Sequence, residues 1–401
     1  MKLYQISLLA VASLFVFTSN SSCNDTDKNN SVNQNNDGTL PASVSPLQNE
    51  TASGSLTKKD YCGIYVAGDW DKPVEEHVLK NPDVDGIIIR IHWKKIQLGQ
   101  TKFDWTQLDN DTKAAVQAGK KFWITFAAGR HSPEWIYNHG IRKLTFMEAP
   151  QQGKLGKVAR MHVPVVWDKD YIELWENFIT KVADHLKADP KIWNELTMVK
   201  VSGINQKSDE IRLPAQNELK TTKGERSSNA ASIWKDAGYR PALVYKVWQR
   251  VLDSYAKNFP GKILSMAIIP GHGFPTIDKN GNIVDKKQAQ DFTEELIDYG
   301  LNKYKGVFAV QYNSLQEKGG VPGLTQVAQA GKRGAITGYQ LEYVQLGEPS
   351  CLTNQSPCDE EMFKRVLDNG INNGACWIEI FQRNVLAFPK AISYGHTKLM
   401  K

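Results

Sequence analysis

Eight short apolar runs, each followed by a longer stretch with helical spacing, constrain the fold of this chain more than any other feature. Several runs are nearly continuous in apolar residues, which is typical of parallel strands buried on both faces. Regular alternation of strand and helix predicts the α/β class, and eight repeats predict a closed (β/α)8 TIM barrel. The predicted strands are Tyr61–Val66, Gly86–Trp93, Lys121–Ala127, Met198–Asn205, Lys262–Ile269, Val307–Ser314, Ala335–Tyr343 and Gly374–Phe381.

Three long insertions lie on one side of this predicted barrel. They follow the third, fourth and fifth strands, at about residues 129–168, 206–239 and 270–287. Reactive side chains of such barrels collect at the C-terminal ends of the strands, which is the side that carries these insertions. We therefore expect the insertions to wall a cleft there.

Length and charge allow one large domain without a nucleic acid partner. The chain has 401 residues, and barrels often run to about 250 residues or more as one domain. Lys and Arg number 49 against 43 Asp and Glu, and the excess is spread along the chain rather than gathered in a run that tracks phosphates. The eight His and five Cys show no metal-ligand spacing, so we predict no metal and no cofactor.

The N-terminus predicts export. Lys2 precedes an apolar stretch from Leu3 to Phe17, which is too short to cross a membrane and is typical of a signal peptide over residues 1–22. Cys23 resembles the lipid-modified cysteine of bacterial lipoproteins of the Bacteroidetes type, with ordinary cleavage as the alternative. Either outcome implies an exported protein, at the outer membrane or cell surface through a lipid anchor, or in the periplasm.

The next segment predicts a tether. Residues 23–59 are rich in Asn, Ser, Asp and Thr and poor in large apolar groups, so they are expected to form a flexible linker. The folded barrel domain is expected to span residues 60–401.

The remaining four cysteines suggest two pairings. Cys351 and Cys358 bracket a short polar loop after the seventh strand, which predicts a local disulfide. Cys62 and Cys376 lie in the first and eighth strands, which closure of a barrel makes neighbours. A second disulfide and a pair of buried free thiols both fit that placement.

One stretch links the chain to a known family. Gly86–Trp93, continuing through Gly99–Trp105 to Leu108 and Asp109, resembles the second strand and following helix entry of clan A glycoside hydrolases. This resemblance implies a retaining (β/α)8 enzyme with its acid/base on strand four and its nucleophile on strand seven. It also implies an oligosaccharide or polysaccharide substrate.

The resemblance assigns roles to two residues on strands seven and two. Glu342 matches the nucleophile, since a carboxylate can attack an anomeric carbon and form a glycosyl-enzyme intermediate. A structural acid at a strand end is the alternative. Arg90 matches the arginine that holds this nucleophile, because a guanidinium can brace a carboxylate through two hydrogen bonds. A salt bridge inside the barrel is the alternative for Arg90.

The fourth strand departs from the clan pattern. Members carry Asn-Glu at its end, whereas this chain has Asn205 followed by Gln206, and an amide cannot donate and recover a proton. A carboxyl follows four residues later, so a rearranged loop predicts Glu210, or else Asp209, as the acid/base. By the resemblance Asn205 binds the sugar 2-hydroxyl, and Gln206 is a further candidate substrate contact.

Other candidates lie on strands six and eight. Trp377 resembles the clan's tryptophan that floors the sugar site, and Glu379 shares its side of the strand by alternation. Glu379 then either assists Glu342 or pairs with a cation. Tyr312 matches the clan's residue beside the nucleophile, with a packed strand tyrosine as the alternative.

Strand-end loops add further candidate sugar contacts, each with core packing as its alternative. They are Trp70, His92, Trp93, Arg130, His131 and Trp135.

These residues favour a glycoside hydrolase that cleaves a β-linked glycan with retention. Two carboxyls about 5–5.5 Å apart are expected for retention and about 6.5–9.5 Å for inversion. A second hypothesis is a glycan-binding barrel that has lost its acid, since Gln206 stands in the place of that acid. A lyase or other barrel enzyme is a third and weaker one. In each case the only predicted contact with a membrane is the N-terminal lipid.

Overall fold

The computed structural model describes residues 56–148, 159–214, 230–269, 273–317, 322–342 and 358–401. The predicted signal peptide, the predicted lipidation site Cys23 and nearly all of the linker lie outside these residues. So does Cys351. The fold is therefore described for the unit that begins at Gly54.

Eight parallel strands form a closed barrel, as the sequence predicts. Around the barrel the order is β1-β10-β9-β8-β7-β6-β3-β2, and β4 pairs antiparallel with β5 beside it, in the insertion after β3. The strands are β1 Gly63–Ala67, β2 Gly86–His92, β3 Lys121–Ala127, β4 Lys143–Glu148, β5 Ala159–Pro164, β6 Leu196–Lys200, β7 Ile263–Ile268, β8 Phe308–Leu315, β9 Ile336–Leu341 and β10 Trp377–Phe381.

Helices cover the outside of the barrel. In α6, apolar residues at helical spacing are buried, and Asp168 caps its start by accepting hydrogen bonds from two backbone amides. None of the described helices combines the length and apolar character needed to span a membrane. The helices are α1 Lys58–Tyr61, α2 Glu76–Leu79, α3 Trp93–Ile96, α4 Thr106–Gln117, α5 Trp135–Asn138, α6 Lys169–Lys187, α7 Pro190–Glu195, α8 Ala230–Asp236, α9 Pro241–Asn258, α10 Thr293–Lys303, α11 Pro322–Lys332, α12 Glu360–Asn372, α13 Gln382–Ala387 and α14 Pro389–Leu399, with 3₁₀ turns at Gly129–His131 and Lys286–Gln288.

The fourth barrel strand is shorter than predicted. The apolar run predicts a strand to Asn205, but β6 ends at Lys200. The physical reason lies at Gly203, which has φ +131°, and the indole of Trp175 occupies the space that a side chain at residue 203 would need. Only glycine fits this turn, and it carries the chain out of the sheet.

The chain then returns to the sheet it has left. Lys200 pairs with Ser265 of β7, and Glu210 forms an isolated parallel bridge to Ala267, two residues further along β7. The amide of Ile211 donates to the carbonyl of Ala267 at 2.8 Å. The residues from Val201 to Asp209 therefore form a loop that leaves the fourth barrel strand and returns to the same side of β7. This loop is called the strand-four excursion below.

A disulfide joins Cys62 to Cys376. Of the two alternatives for this pair, the disulfide is confirmed. The next residues, Gly63 and Trp377, are paired between β1 and β10, so the bond lies where the first and last strands close the barrel. Cys358 is also disulfide-bonded, but Cys351 lies outside the described residues, and the pairing of these two stays a prediction.

Replacing both Cys62 and Cys376 by Ser is expected to lower the free energy of unfolding by about 2–5 kcal/mol, because the bond restricts the unfolded chain over a span of 314 residues. Urea unfolding followed by circular dichroism measures the change. Wild-type protein under reducing conditions should be destabilised at least as much as the double variant, because reduction also breaks the bond of Cys358. Equal midpoints for the oxidised wild type and the variant would contradict this role.

Candidate active site

A buried ion cluster lies inside the barrel below its C-terminal opening. Nζ of Lys200 is 2.5 Å from Oε1 of Glu379 on β10 and 3.1 Å from Oδ2 of Asp209, which belongs to the strand-four excursion. Nε2 of Gln340 on β9 donates to Oε2 of Glu379 at 2.6 Å. All four residues are at most 8% exposed. The Lys200 cluster, as these four are called below, links strands four, seven and eight of the barrel across its interior.

The two acids of this cluster differ in charge. Burial acts to raise the pKa of Asp209, but Lys200 and Arg90 outweigh it, so this pKa is lowered. Burial raises the pKa of Glu379, and the charge of Asp209 adds to the rise against the opposing effect of Lys200. Asp209 is therefore the ionised partner of Lys200, whereas Glu379 holds its proton more readily.

Arg90 lies on the same inner face of the barrel. Burial lowers its pKa, and the acids that interact with it most strongly are Asp209 and Glu379. Its guanidinium carbon is 4.5 Å from the centre of the Trp70 ring, a cation–π contact. Asp209 and Glu379 are thus the acids whose charges Arg90 feels most strongly, and its bracing of Glu342 stays a prediction.

Glu342 follows the end of β9 at the opening of the barrel. It comes two residues after Gln340, so by the alternation of strand side chains it faces the interior one layer above the Lys200 cluster. Its backbone amide donates to the carbonyl of Leu315 at 3.3 Å. Nε2 of Gln316 donates a short hydrogen bond to Oε2 of Glu342. These contacts fix the carboxylate of Glu342 on the side of β8.

Glu210 occupies the equivalent level on strand four. Its bridge to Ala267 puts it two positions beyond Lys200 in the register of β7, so both side chains lie on the inner face. The hydroxyl of Ser208 donates to Oε2 of Glu210 at 3.0 Å. The predicted acid and the predicted nucleophile are thus brought to the same opening, on strands four and seven.

Burial raises the pKa of Glu210, and the neighbouring charge of Asp209 raises it further. The opposing effects of Arg212, Ser208 and Lys207 are smaller. A carboxyl with a raised pKa is suited to hold a proton at the start of a reaction.

Asn205 does not serve as the sugar contact that the resemblance implies. It is 1% exposed, its Oδ1 accepts from the amide of Gly203 at 2.6 Å, and its Nδ2 donates to the carbonyl of Glu210 at 2.5 Å. The side-chain amide of Asn205 therefore uses its oxygen and its nitrogen to hold the two sides of the strand-four excursion together. Nε2 of Gln206 contacts the sulfur of Met161 on β5 at 3.8 Å, so this side chain packs against the insertion after β3.

Trp377 is likewise corrected from a sugar-site floor to a core residue. It is fully buried at the first residue of β10, far down the strand from the opening. Its ring meets that of Trp123 edge-on at 5.2 Å, and its Nε1 donates to Oε1 of Gln311 at 3.1 Å. Glu379, two residues later, is also fully buried, so of its two expected roles the structure shows pairing with a cation, Lys200.

Tyr312 packs on the outside of the barrel wall. A side chain at Gly323 of α11 would collide with its ring, so the tyrosine lies between β8 and that helix. Burial raises its pKa, and Glu342 and Glu210 add to the rise. Tyr312 is therefore in electrostatic range of both carboxylates, while its ring is a packing residue.

His92 is held in one orientation at the end of β2. Its Nδ1 is 2.5 Å from Oδ2 of Asp71, and its backbone amide donates to Oδ1 of the same carboxylate at 2.9 Å. Its ring stacks on those of Trp70 and His131, with centroids 4.9 and 3.6 Å away. Asp71 has φ +59°, a strained conformation for a residue other than glycine. Asp71 belongs to no recognisable motif, because its contact with His92 depends on this backbone angle.

Lys200 is the other site residue that the sequence analysis missed. The signal was a lysine inside the apolar run of the fourth strand, since a charge on a buried strand needs a partner. Its partners could not be identified from the sequence. Asp209 lies in a loop whose path depends on the fold, and Glu379 lies on a strand 179 positions later.

Comparisons with known proteins show no family for this chain. No family model and no curated protein matches the sequence. Among solved structures, xylanase 10B from Thermotoga maritima aligns over 86% of this chain and 96% of its own, at 13% identity and a TM-score of 0.46. Xylanase B from Clostridium stercorarium F9 aligns over 80% and 86%, at 13% identity and a TM-score of 0.44. A beta-galactosidase from the psychrophilic Marinomonas ef1 aligns over 84% and 58%, at 12% identity and a TM-score of 0.49. At these values the likenesses carry no information about the activity of this chain.

Replacing Lys200 by Met is expected to destabilise the fold by about 3–5 kcal/mol at neutral pH, because it leaves Asp209 and Glu379 buried without their cation. The native pKa of Asp209 is lowered, so its stabilising contribution is present above its unfolded pKa and is lost as the pH falls. The difference between wild type and variant should therefore shrink on acidification. Denaturant unfolding at several pH values measures it.

The matched control is Lys303→Met, which removes an exposed lysine paired with Asp253. Surface pairs are worth about 0–1 kcal/mol. Equal losses for the two variants would show that burial of the Lys200 cluster has no special weight.

Proposed function

We propose that this protein is a glycoside hydrolase that cleaves a β-linked glycan with retention of configuration, with Glu342 as nucleophile and Glu210 as acid/base. The observation that carries the proposal is the register of the strand-four excursion. It brings Glu210 to the inner face above Lys200, at the level where Glu342 follows Gln340 on strand seven. Two carboxyls facing one opening, one of them with a raised pKa, are the minimum set for this chemistry.

In the first step Glu210 donates its proton to the glycosidic oxygen while Glu342 attacks the anomeric carbon. The bond from that carbon to the leaving oxygen breaks, and a covalent glycosyl-enzyme forms. In the second step Glu210 takes a proton from water, whose oxygen attacks the same carbon and releases Glu342. Each residue ends in its starting state, so the cycle needs no cofactor.

The surroundings of the two carboxyls support this division of roles. Glu210 is partly buried beside the ionised Asp209, which favours its protonated form. Glu342 accepts a hydrogen bond from Gln316, which orients one oxygen and leaves the other for the sugar. His92, clamped by Asp71 and two rings, has its Nε2 edge left to contact a sugar hydroxyl.

The non-catalytic glycan-binding barrel is the alternative, and its basis was Gln206 in the place of the acid. The contact of Gln206 with Met161 and the inner-face position of Glu210 favour the enzyme instead. A binding protein does not require a second carboxyl at this level, whereas the retaining mechanism does.

We further infer that the protein acts outside the cytoplasm. The support is the apolar stretch near the N-terminus together with the Cys62–Cys376 disulfide, since such bonds persist in oxidising compartments. Tethering through Cys23 belongs to the same proposal.

Replacing Glu342 by Gln is expected to lower kcat on a panel of 4-nitrophenyl β-glycosides and oligosaccharides by on the order of 10⁴-fold, as removal of a nucleophile does elsewhere. Replacing Glu210 by Gln should cost about 10²–10⁴-fold on unactivated oligosaccharides. The loss should be much smaller on nitrophenyl glycosides, whose leaving group needs no proton. Added azide should restore turnover of the Glu210 variant and yield a β-glycosyl azide.

Glu176→Gln, which changes an acid paired with Arg250 on the outer helices, is the control and should keep full activity. Wild-type turnover by the Glu342 variant would remove the nucleophile assignment. Absence of turnover by the wild type on every substrate, with retained binding of one of them, would favour the glycan-binding alternative.

A further inference from the structure

Asp209 and Glu210 are adjacent in sequence but lie in different layers of the barrel. Asp209 is 3% exposed and pairs with Lys200 in the interior. Glu210 is partly exposed at the opening above it. The residue next to the proposed acid is therefore anchored to the ion cluster below.

This anchor closes the strand-four excursion at its base. Lys200 is the last residue of β6, and Asp209 is the residue just before the chain rejoins the sheet beside Ala267. Their ion pair spans the gap that the excursion opens. Asn205 ties the middle of the same loop to the carbonyl of Glu210. The position of Glu210 thus depends on a buried ion pair rather than on a continuous strand.

The charged groups around Glu210 come from several elements. Lys207, Asp209 and Arg212 belong to its own segment, and Arg90 faces it from β2. Tyr312 of β8 packs on the outer side of the strand but remains in electrostatic range of Glu210. Glu342, at the end of β9, faces the same opening. Lys200 and Glu379 lie one layer below and act through Asp209. Among the groups of its own segment, Asp209 is the one whose charge repels an ionised Glu210.

We propose that Asp209 is a positioning residue for Glu210: paired with Lys200, it fixes where the chain re-enters the sheet, and its charge favours the protonated acid. The inference rests on the proposed function, because it concerns the same acid/base. It adds that the Lys200 cluster sets the pH range in which that acid works.

The test is the pH dependence of kcat/KM for Asp209→Asn, with an unactivated oligosaccharide that the wild type cleaves, because its leaving oxygen needs the proton of Glu210. Removing a neighbouring negative charge makes Glu210 lose its proton at lower pH. The alkaline limb of the profile should therefore move to lower pH by on the order of one unit. Glu379→Gln is the matched control. It changes the same cluster but replaces an acid that already holds its proton readily, so its alkaline limb should move much less.

Two further measurements test the inference in case Asp209→Asn alone is unstable. Lys200→Met with Asp209→Asn removes both charges of the pair and should shift the alkaline limb in the same direction but less. Carbodiimide labels protonated carboxyls, and peptide mass spectrometry can follow labelling of Glu210 against pH in each variant. The labelling midpoint of Asp209→Asn should be below that of the wild type.

An unshifted alkaline limb and an unshifted labelling midpoint in Asp209→Asn would overturn the inference, even if its kcat falls, because a purely structural role predicts that result. The proposed function fails by a different result, namely unchanged activity of Glu210→Gln on unactivated oligosaccharides. The two failures are therefore distinguishable.

Discussion

The structure of the opening depends on a lysine, Lys200, that is buried inside the barrel. Lys200 is 2% exposed and contacts carboxylates from two parts of the chain that are far apart in sequence. Removing a charge from water costs several kcal/mol, and close partners with good geometry are needed to offset it. Gln340 and Arg90 supply further hydrogen-bonding and charge around these acids, so the layer forms one connected network. Below it the barrel is filled by aromatic side chains, with Tyr65 stacked on Trp123 at 3.7 Å.

This layering explains how an irregular strand can carry a precisely placed side chain. A strand normally sets side-chain direction through its backbone ladder, and β6 loses that ladder after Val201. The excursion regains it at Glu210 through the bridge to β7, with the ion pair below and Asn205 beside it. Three separate contacts thus replace a continuous hydrogen-bonded strand. This arrangement requires the charge of Lys200 to be buried, and it leaves space at the opening for the residues of the excursion.

The sequence predicts the barrel well because apolar runs and helical spacing are local signals. Seven of the eight barrel strands lie where these signals predict them. The errors arise where a motif was aligned along an assumed continuous strand. Asn205 was given a role at the end of strand four, but the turn at Gly203 moves it into the loop. Trp377 was given a role at the opening, although strand β10 begins with it, so burial depth rather than residue type decides its function. The Lys200 cluster needed contacts between distant segments, which no single stretch of sequence reveals.

The bond between Cys62 and Cys376 also determines how the barrel responds to damage. It encloses nearly the entire domain in one covalent ring, from the first strand to the last. Exposed loops are the usual sites of proteolytic nicking, and the long insertions of this chain fall inside that ring. A protease that cuts one of them therefore leaves two fragments that remain covalently joined, with every strand still attached to the same molecule. A single proteolytic cut in an insertion would therefore not separate the barrel strands from one another.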